Sequence, residues 1–500
     1  MHILDLPYEI LSKIIAFSIL ARHRALRFGR GMNRAVRLKF VCKEFYNLFQ
    51  SALFRTRVLD DPKDYESLQL WPIKHLHGRE KMRHKYLVYR VRNEKEPKIG
   101  RFVDIANIAK EFLEVAEEFC KAAKVDDSKI VDDLCWLVLE SATGCPGNSK
   151  FWDRELDDAL DPFDPPGPRD LLKPHLNLLS IAAYFNHLDL ARNLLDKGCC
   201  PIEHDLFPSP MYSAAYAGNK NMVILFQENI MENFPGVEPG TGTVEGAALR
   251  GDIDMFRLAT RGIQKGYPSI LMNVPFWTQN PKIFTYTQKF FDSPPVLPTS
   301  LLCWHAECGN PEMVKCLLDN RWEVGRWDDG EEALTNSYAL VKAVRMSQED
   351  VVDLLLERGV SLNVGDLLST SALSAAAAAG SMSMLRKLIK HGANNDNYMW
   401  DQRTMLLNAL LLEHTEMVNL FFEMGVFGGN CPQSIRERVQ KDGLESMVEL
   451  LKGWGSETEL DPNFRRLTFE WEYDYCVKQT KSGGYFEPFN FLVNQIAVLD

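Results

Sequence analysis

The segment from Ser371 to Gly392, SALSAAAAAGSMSMLRKLIKHG, joins a small-residue helix through Ala375 to Ala379 to an amphipathic helix carrying Met384, Leu385, Leu388 and Ile389. Gly380 breaks the two apart and Gly392 closes the unit. A pair this small cannot bury its apolar face alone, so it must stack against copies of itself. The copies emerge when Ala377 is used as a register mark, with glycine three residues on and an apolar pair at seven and eight. The mark falls on Ala183, Ala215, Ala248, Ala306, Val344, Ala377 and Leu410, and four of the steps are 32 or 33 residues. The step of 58 residues from Ala248 to Ala306 leaves room for a degenerate copy at FWTQNPKIF, Phe276 to Phe284. Gln440, followed by Gly443, Met447, Val448 and Leu451, marks a last copy.

Within these copies Ser209-Pro210-Met211-Tyr212 precedes Ala214-Ala215, and Thr404-Met405-Leu406-Leu407 precedes Ala409-Leu410. The pattern resembles the ankyrin-repeat family, which carries T-P-L-H-x-A-A, a glycine, an apolar pair, a leucine run and a closing glycine. The resemblance extends roughly from Leu171 to Gly455. It departs at the family's histidine, replaced by Ser180, Tyr212, Cys303, Val341, Ser374 and Leu407, and at the glycine, replaced by Asn186, Ser347 and Glu413. The resemblance implies an all-α fold, an ankyrin-type helical solenoid of about seven to nine irregular repeats with short hairpin loops, whose business is protein binding.

Five hundred residues exceed what one compact core organises, and a repeat array escapes that limit because each unit touches only its neighbours. A net charge of −11 argues against a dedicated nucleic-acid binder, which needs a basic face for phosphate. The basic zone from Arg22 to Arg101 reads as solvated helix faces, or else as an import signal or a site for an acidic partner. Eleven cysteines without framework spacing read as reduced thiols in an intracellular protein. The opening MHILDLPYEI lacks the basic and apolar regions of a signal peptide, and no apolar run approaches a bilayer span.

At the N-terminus Leu6-Pro7 and Glu9 make a helix start, because proline suits the first turn and a carboxylate there meets the positive end of the dipole. Ile10, Leu11, Ile14, Ile15 and Phe17 follow at helical spacing. A second segment, RLKFVCKEFYNL from Arg37 to Leu48, precedes Ala52-Leu53-Phe54-Arg55. In this order the two segments resemble the F-box, a helical module that docks on the Skp-type adaptor of cullin-RING ubiquitin ligases. That resemblance implies an adaptor-binding set of Leu6, Pro7, Ile10, Leu11, Val41, Cys42, Phe45 and Leu48. The basic insertion ARHRALRFGRGMNRAV separates the halves, so the pair either docks on the adaptor or only caps the array.

Between the two regions, residues 61–100 read as a basic linker with little order, and His75, His77 and His84 read as surface histidines. Asp104 to Lys124 and Ile130 to Glu140 read as helices that cap the first repeat. Asp161 to Pro168, DPFDPPGP, is the sharpest boundary. The expected organisation is thus an F-box-like module at 1–60, a linker and cap at 61–160, the array at 171–455 and a tail at 456–500. In the tail Phe469, Trp471, Tyr473 and Tyr475 alternate with acids, and the segment either covers the last repeat or presents a partner motif.

No phosphate loop, nucleophile elbow, zinc helix or kinase signature occurs, so the chain reads as a non-enzyme without cofactor or metal. Cys303-Trp304-His305-Ala306-Glu307-Cys308 tempts a metal reading, but its register places it in the packed first helix of a repeat. Candidate partner loops are Arg326-Trp327-Asp328 and Asn394-Asn395-Asp396 at the repeat tips. The expected partners are a Skp-type adaptor and a protein substrate, with no nucleic acid and no membrane.

Overall fold

The computed structural model describes residues 6–24, 43–56, 79–93, 105–124, 129–143, 174–203, 207–234, 242–261, 263, 269–291, 298–319, 329–362, 371–394 and 399–456. The chain forms two compact units, Met1–Ser361 and Leu362–Asp500.

The first unit begins with α1 (Tyr8–Arg24) packed on α2 (Lys43–Thr56). The helix starts at the proline, whose carbonyl accepts from the backbone N–H of Ile10 and Leu11, each at 3.0 Å. Leu11, Ile15 and Ile19 turn inward to meet Phe45, Leu48, Phe49, Ala52 and Leu53. Next come α3 (Arg79–Asn93), α4 (Ile105–Ala123) and α5 (Ile130–Thr143), with α3 packed on both of the others.

Helix α3 corrects the reading of residues 61–100 as a linker with little order. Its Tyr86, Val88 and Val91 are buried, and Phe54 of α2 meets the rings of Tyr86 and Tyr89 at 5.2 and 5.3 Å. His84 is likewise not a surface histidine. It is buried, stacked on Trp136 at 4.1 Å, and its Nε2 lies 3.0 Å from the Asp132 carbonyl oxygen. Arg90 is buried too, so the basic zone is not wholly a solvated face. The high Arg and Lys content masked the apolar stripe, because the long stems of such residues cover apolar surface that a charge count treats as polar.

The repeats then follow as helix pairs: α6 (Pro174–Tyr184) with α7 (Leu188–Asp196), α8 (Pro210–Ala217) with α9 (Lys220–Asn233), and α10 (Thr243–Arg250) with α11 (Ile253–Ala259). After them come α12 (Val274–Trp277) with α13 (Pro281–Thr287), α14 (Pro298–Cys308) with α15 (Pro311–Asp319), and α16 (Asp329–Arg345) with α17 (Glu349–Glu357). The first helices of successive pairs pack side by side from α6 to α16, and α4 packs on α6 at the open end. Phe119 of α4 makes that junction, stacked on Phe185 at 5.4 Å and meeting His187 at the same distance. One apolar cluster consequently runs from Leu11 to Phe291.

The second unit holds α18 (Ala372–Ala379) with α19 (Met382–Lys390), α20 (Met399–Leu411) with α21 (Thr415–Glu423), and α22 (Gln433–Lys441) with α23 (Glu445–Leu451). A two-residue parallel pair, β1 (Asn430–Cys431) and β2 (Gly455–Ser456), closes it. In α22 and α23 the exposed side chains include Gln433, Glu437, Gln440, Lys441, Glu445 and Glu449, the polar outer face that ends a repeat stack in water. Arg436 ties off this end by donating to the carbonyls of Leu451, Trp454 and Gly455 at 2.9 to 3.0 Å. The tail beyond, including the aromatic alternation, lies outside the described residues.

The register mark holds along both units. Ala183, Ala215, Ala248, Ala306, Val344, Ala377 and Leu410 are fully buried, and so are the apolar pairs seven and eight residues after Ala215, Ala248, Ala306, Val344, Ala377 and Leu410. Small residues at the mark let neighbouring helices approach, and each fully buried Phe or Met behind them contributes about 1.5–3 kcal/mol. Three residues after the mark the backbone is left-handed whether or not glycine is present: Asn186, Ser347 and Glu413 have φ of 60°, 57° and 54°, beside 68° at Gly380. The non-glycine positions hold a conformation that costs about 1 kcal/mol or more per residue, because the burial on either side fixes the turn. The degenerate copy differs, since its first helix has four residues and leaves through an extended Thr278 at φ −81°, ψ 138°.

At three junctions a carboxamide just before the second helix of a pair does a second job. The Asn219 amide donates to the carbonyls of Ala183 and Tyr184 at 2.8 and 2.9 Å, Asn280 to Gly251 at 2.9 Å, and Gln348 to Glu307 at 3.2 Å. Each thereby satisfies C-terminal carbonyls of the preceding first helix, which have no intrahelical partner. Asn219→Ala is expected to destabilise the first unit by about 1–3 kcal/mol, since it removes two part-buried hydrogen bonds and leaves the Ala183 carbonyl only the longer bond from the Asn186 N–H at 3.4 Å. Urea unfolding checks this, and an unchanged midpoint would show that water replaces the amide.

Candidate protein-interaction surfaces

Two regions carry the features of contact surfaces, and the adaptor-binding set expected at the N-terminus divides between core and solvent. Leu11, Phe45 and Leu48 are core residues of the α1–α2 pair and offer no surface. Leu6 is half-buried and Pro7 exposed, while Val41 and Cys42 lie outside the described residues. Ile10 is 47% exposed, and one heptad later Phe17 is 70% exposed, with half-buried Ile14 between them. Ile10, Ile14 and Phe17 stand at i, i+4 and i+7, so they form one stripe on the side of α1 opposite the core. Phe17 is absent from the expected set, although its spacing from Ile10 could have placed it there. An exposed phenylalanine aligned with an exposed isoleucine is an apolar face of the kind that marks a contact site.

The expected loop contacts fall mostly beyond what is described. Arg326, Trp327, Asp328, Asn395 and Asp396 lie outside the described residues, and Asn394 is exposed just after the turn that ends α19.

The second region lies on the row of first helices, where α14 meets α16. Glu307 is buried, and its carboxylate receives Lys342 Nζ at 3.1 Å and Arg345 at 2.9 Å. Gln348 reaches the Glu307 carbonyl across Gly309, where a Cβ would collide with its side-chain amide. The half-buried Trp304 donates through its ring N–H to the Phe276 carbonyl at 3.0 Å. Sequence reasoning missed this clamp because the acid and its cations lie 35 and 38 residues apart, one repeat away. The repeat offset is the signal that could have joined them.

The same helix settles the Cys303 to Cys308 cluster as packing. His305 is buried with Nε2 2.8 Å from the Pro275 carbonyl oxygen, and its Nδ1 faces the Asn310 amide at 3.4 Å. Burial pushes the Cys303 thiol up to about 11, so it is not a ready nucleophile at neutral pH. Among the described residues no group of three or more His, Cys, Asp or Glu side chains is placed to hold a metal. No helix among them is long and apolar enough to cross a membrane.

Comparison with known proteins bears on the repeats. Residues 340–429 match the family of ankyrin repeats in three copies, which contain the marks at Val344, Ala377 and Leu410. No curated protein matches the sequence. Among solved structures, the crystal structure of the human ASB11 ankyrin repeat domain is 18% identical, with 46% of this chain and 96% of that chain covered and a TM-score of 0.23. Residues 340–429 are therefore ankyrin repeats, a type of protein-interaction module, and the described helix pairs outside them share the same register mark and turn.

Proposed function

We propose that the protein is a substrate-recruiting subunit of a Skp-cullin-F-box type ubiquitin ligase, holding the adaptor through its N-terminal helices and a target protein through its repeats. On this reading it catalyses nothing and supplies proximity and orientation to another protein's chemistry. Residues 1–60 are the adaptor module, 61–160 the cap, 171–455 the array and 456–500 a tail, in a protein working inside the cell. The observation that carries the reading is the apolar stripe Ile10, Ile14 and Phe17, presented to solvent directly after Leu6-Pro7 on a helix whose other face is fully packed.

Co-purification of the full chain with a Skp-type adaptor tests it. The double variant Ile10→Asp, Phe17→Asp is expected to weaken the complex by about 100-fold or more, since burial of two such side chains contributes about 3–6 kcal/mol in all. Its helix content is expected to stay intact, because surface substitutions of this kind shift stability by about 0.5 kcal/mol. Substitution of Phe45 is unsuited to the purpose, because its side chain belongs to the core.

A second reading has its own observation. The apolar cluster continuous from Leu11 to Phe291 favours α1 to α5 as a cap that shields the first repeat, with the array as a plain scaffold. A well-folded wild type that forms no adaptor complex would leave this reading standing.

A further inference from the structure

The surface-reaching charged side chains on the first helices of the first unit have an uneven sign. On the first helices from α6 to α14, and along α16 from Tyr338 onward, exposed Arg250 and half-buried Lys342 and Arg345 stand against one half-buried acid, Glu245 of α10. Glu307, the acid nearest the last two, is buried between them, so that cluster keeps one net positive charge. Arg250 spends one N–H on the Tyr216 carbonyl at 2.9 Å, and no carboxylate among the described residues pairs with it. A guanidinium carries five N–H donors and an ammonium three, so each of the three cations retains donors for a further acceptor. Aromatic surface lies along the same row: half-buried Tyr216, stacked on Tyr212 at 5.9 Å, and Trp304, held by its bond to Phe276.

We infer that this row, from Arg250 to the Lys342–Arg345 pair, is the docking surface for an extended acidic segment of a partner protein. The inference rests on the reading of the repeats as a protein-binding module and adds the partner's chemistry. Three helix-to-helix steps, from α10 through α12 and α14 to α16, separate the two cationic points. At about 8–10 Å per step they lie roughly 27 Å apart, a span that about eight extended residues cover. The segment therefore carries carboxylates at both ends of an eight-residue stretch, with neutral or aromatic residues between them over Trp304. Carboxylates suit the site because they accept the free guanidinium and ammonium donors in charge-assisted hydrogen bonds.

The test uses the full-length protein and a fluorescein-labelled synthetic peptide with paired glutamates eight residues apart, read by fluorescence anisotropy. Saturable binding is expected, weakened about tenfold by Arg250→Glu and by Lys342→Gln, and lost progressively as salt screens the charges. Lys342→Gln keeps a hydrogen-bond donor on α16 within reach of Glu307, and Arg250→Ser provides a milder variant at the exposed end. Circular dichroism melts verify that each variant is folded. No binding, equal binding of the lysine counterpart peptide, or unchanged affinity in folded variants would each overturn the inference. Adaptor binding is read separately through Ile10 and Phe17, so failure of one result leaves the other intact.

Discussion

Replacing Phe119 by alanine is expected to cost the first unit about 3–5 kcal/mol, the range for emptying a buried aromatic position. The ring is fully buried on α4 and stacks on Phe185, at the C-terminal end of the first repeat helix, with His187 against its edge. Among the described residues no other repeat stands on that side to refill the space. Deletion of the ring therefore leaves a cavity and exposes the end of the stack, and native-state hydrogen exchange should report lost protection first in α6 and α7. Chemical denaturation gives the magnitude. A loss below about 1 kcal/mol would mean that α4 is not the lid of the array.

The second large effect has a sign that helix propensity alone gets wrong. Alanine is favoured over glycine inside a helix by about 1 kcal/mol, so Gly246→Ala in α10 would stabilise an isolated helix. Here a Cβ would lie 2.6 Å from the Tyr212 carbonyl oxygen, 2.9 Å from the Tyr216 nitrogen and 3.1 Å from the Ala215 Cβ. Two of these are backbone atoms of α8, which cannot move aside as a long side chain can. The helices must separate, and the buried contacts among Ala214, Ala215, Ala247 and Ala248 open together. Gly246→Ala is expected to destabilise by about 2–3 kcal/mol and Gly246→Val by more, as overpacking against a rigid neighbour demands. Thermal melts of the two variants decide it, and a rise in melting temperature for Gly246→Ala would refute the close approach.

Both sites show why capping and stacking, not local helix propensity, govern this molecule. Most repeat helices are 7 to 11 residues long, such as α11 with 7 and α6 with 11, below the length at which an isolated helix holds in water. Their stability comes from neighbours, and the carboxamides of Asn219, Asn280 and Gln348 add a polar tie at three junctions.

What the sequence alone determined is whatever repeats. The mark at Ala183 through Leu410, the turn three residues later and the buried pair beyond it are legible because one local geometry recurs, and each recurrence demands the same residue sizes at the same offsets. What only the tertiary structure decided is whatever occurs once. The N-terminal stripe looked like a single apolar face, and contact with α2 split it into buried Leu11, Ile15 and Ile19 and exposed Ile10 and Phe17. Helix α3 hid behind its charges until Phe54 and Trp136 supplied the surfaces that Tyr86 and His84 pack against. The Glu307 clamp needed two helices from different repeats brought side by side. Periodicity encodes contacts between equivalent positions, whereas a contact between unlike positions is set by distance in space, which no single stretch of chain carries.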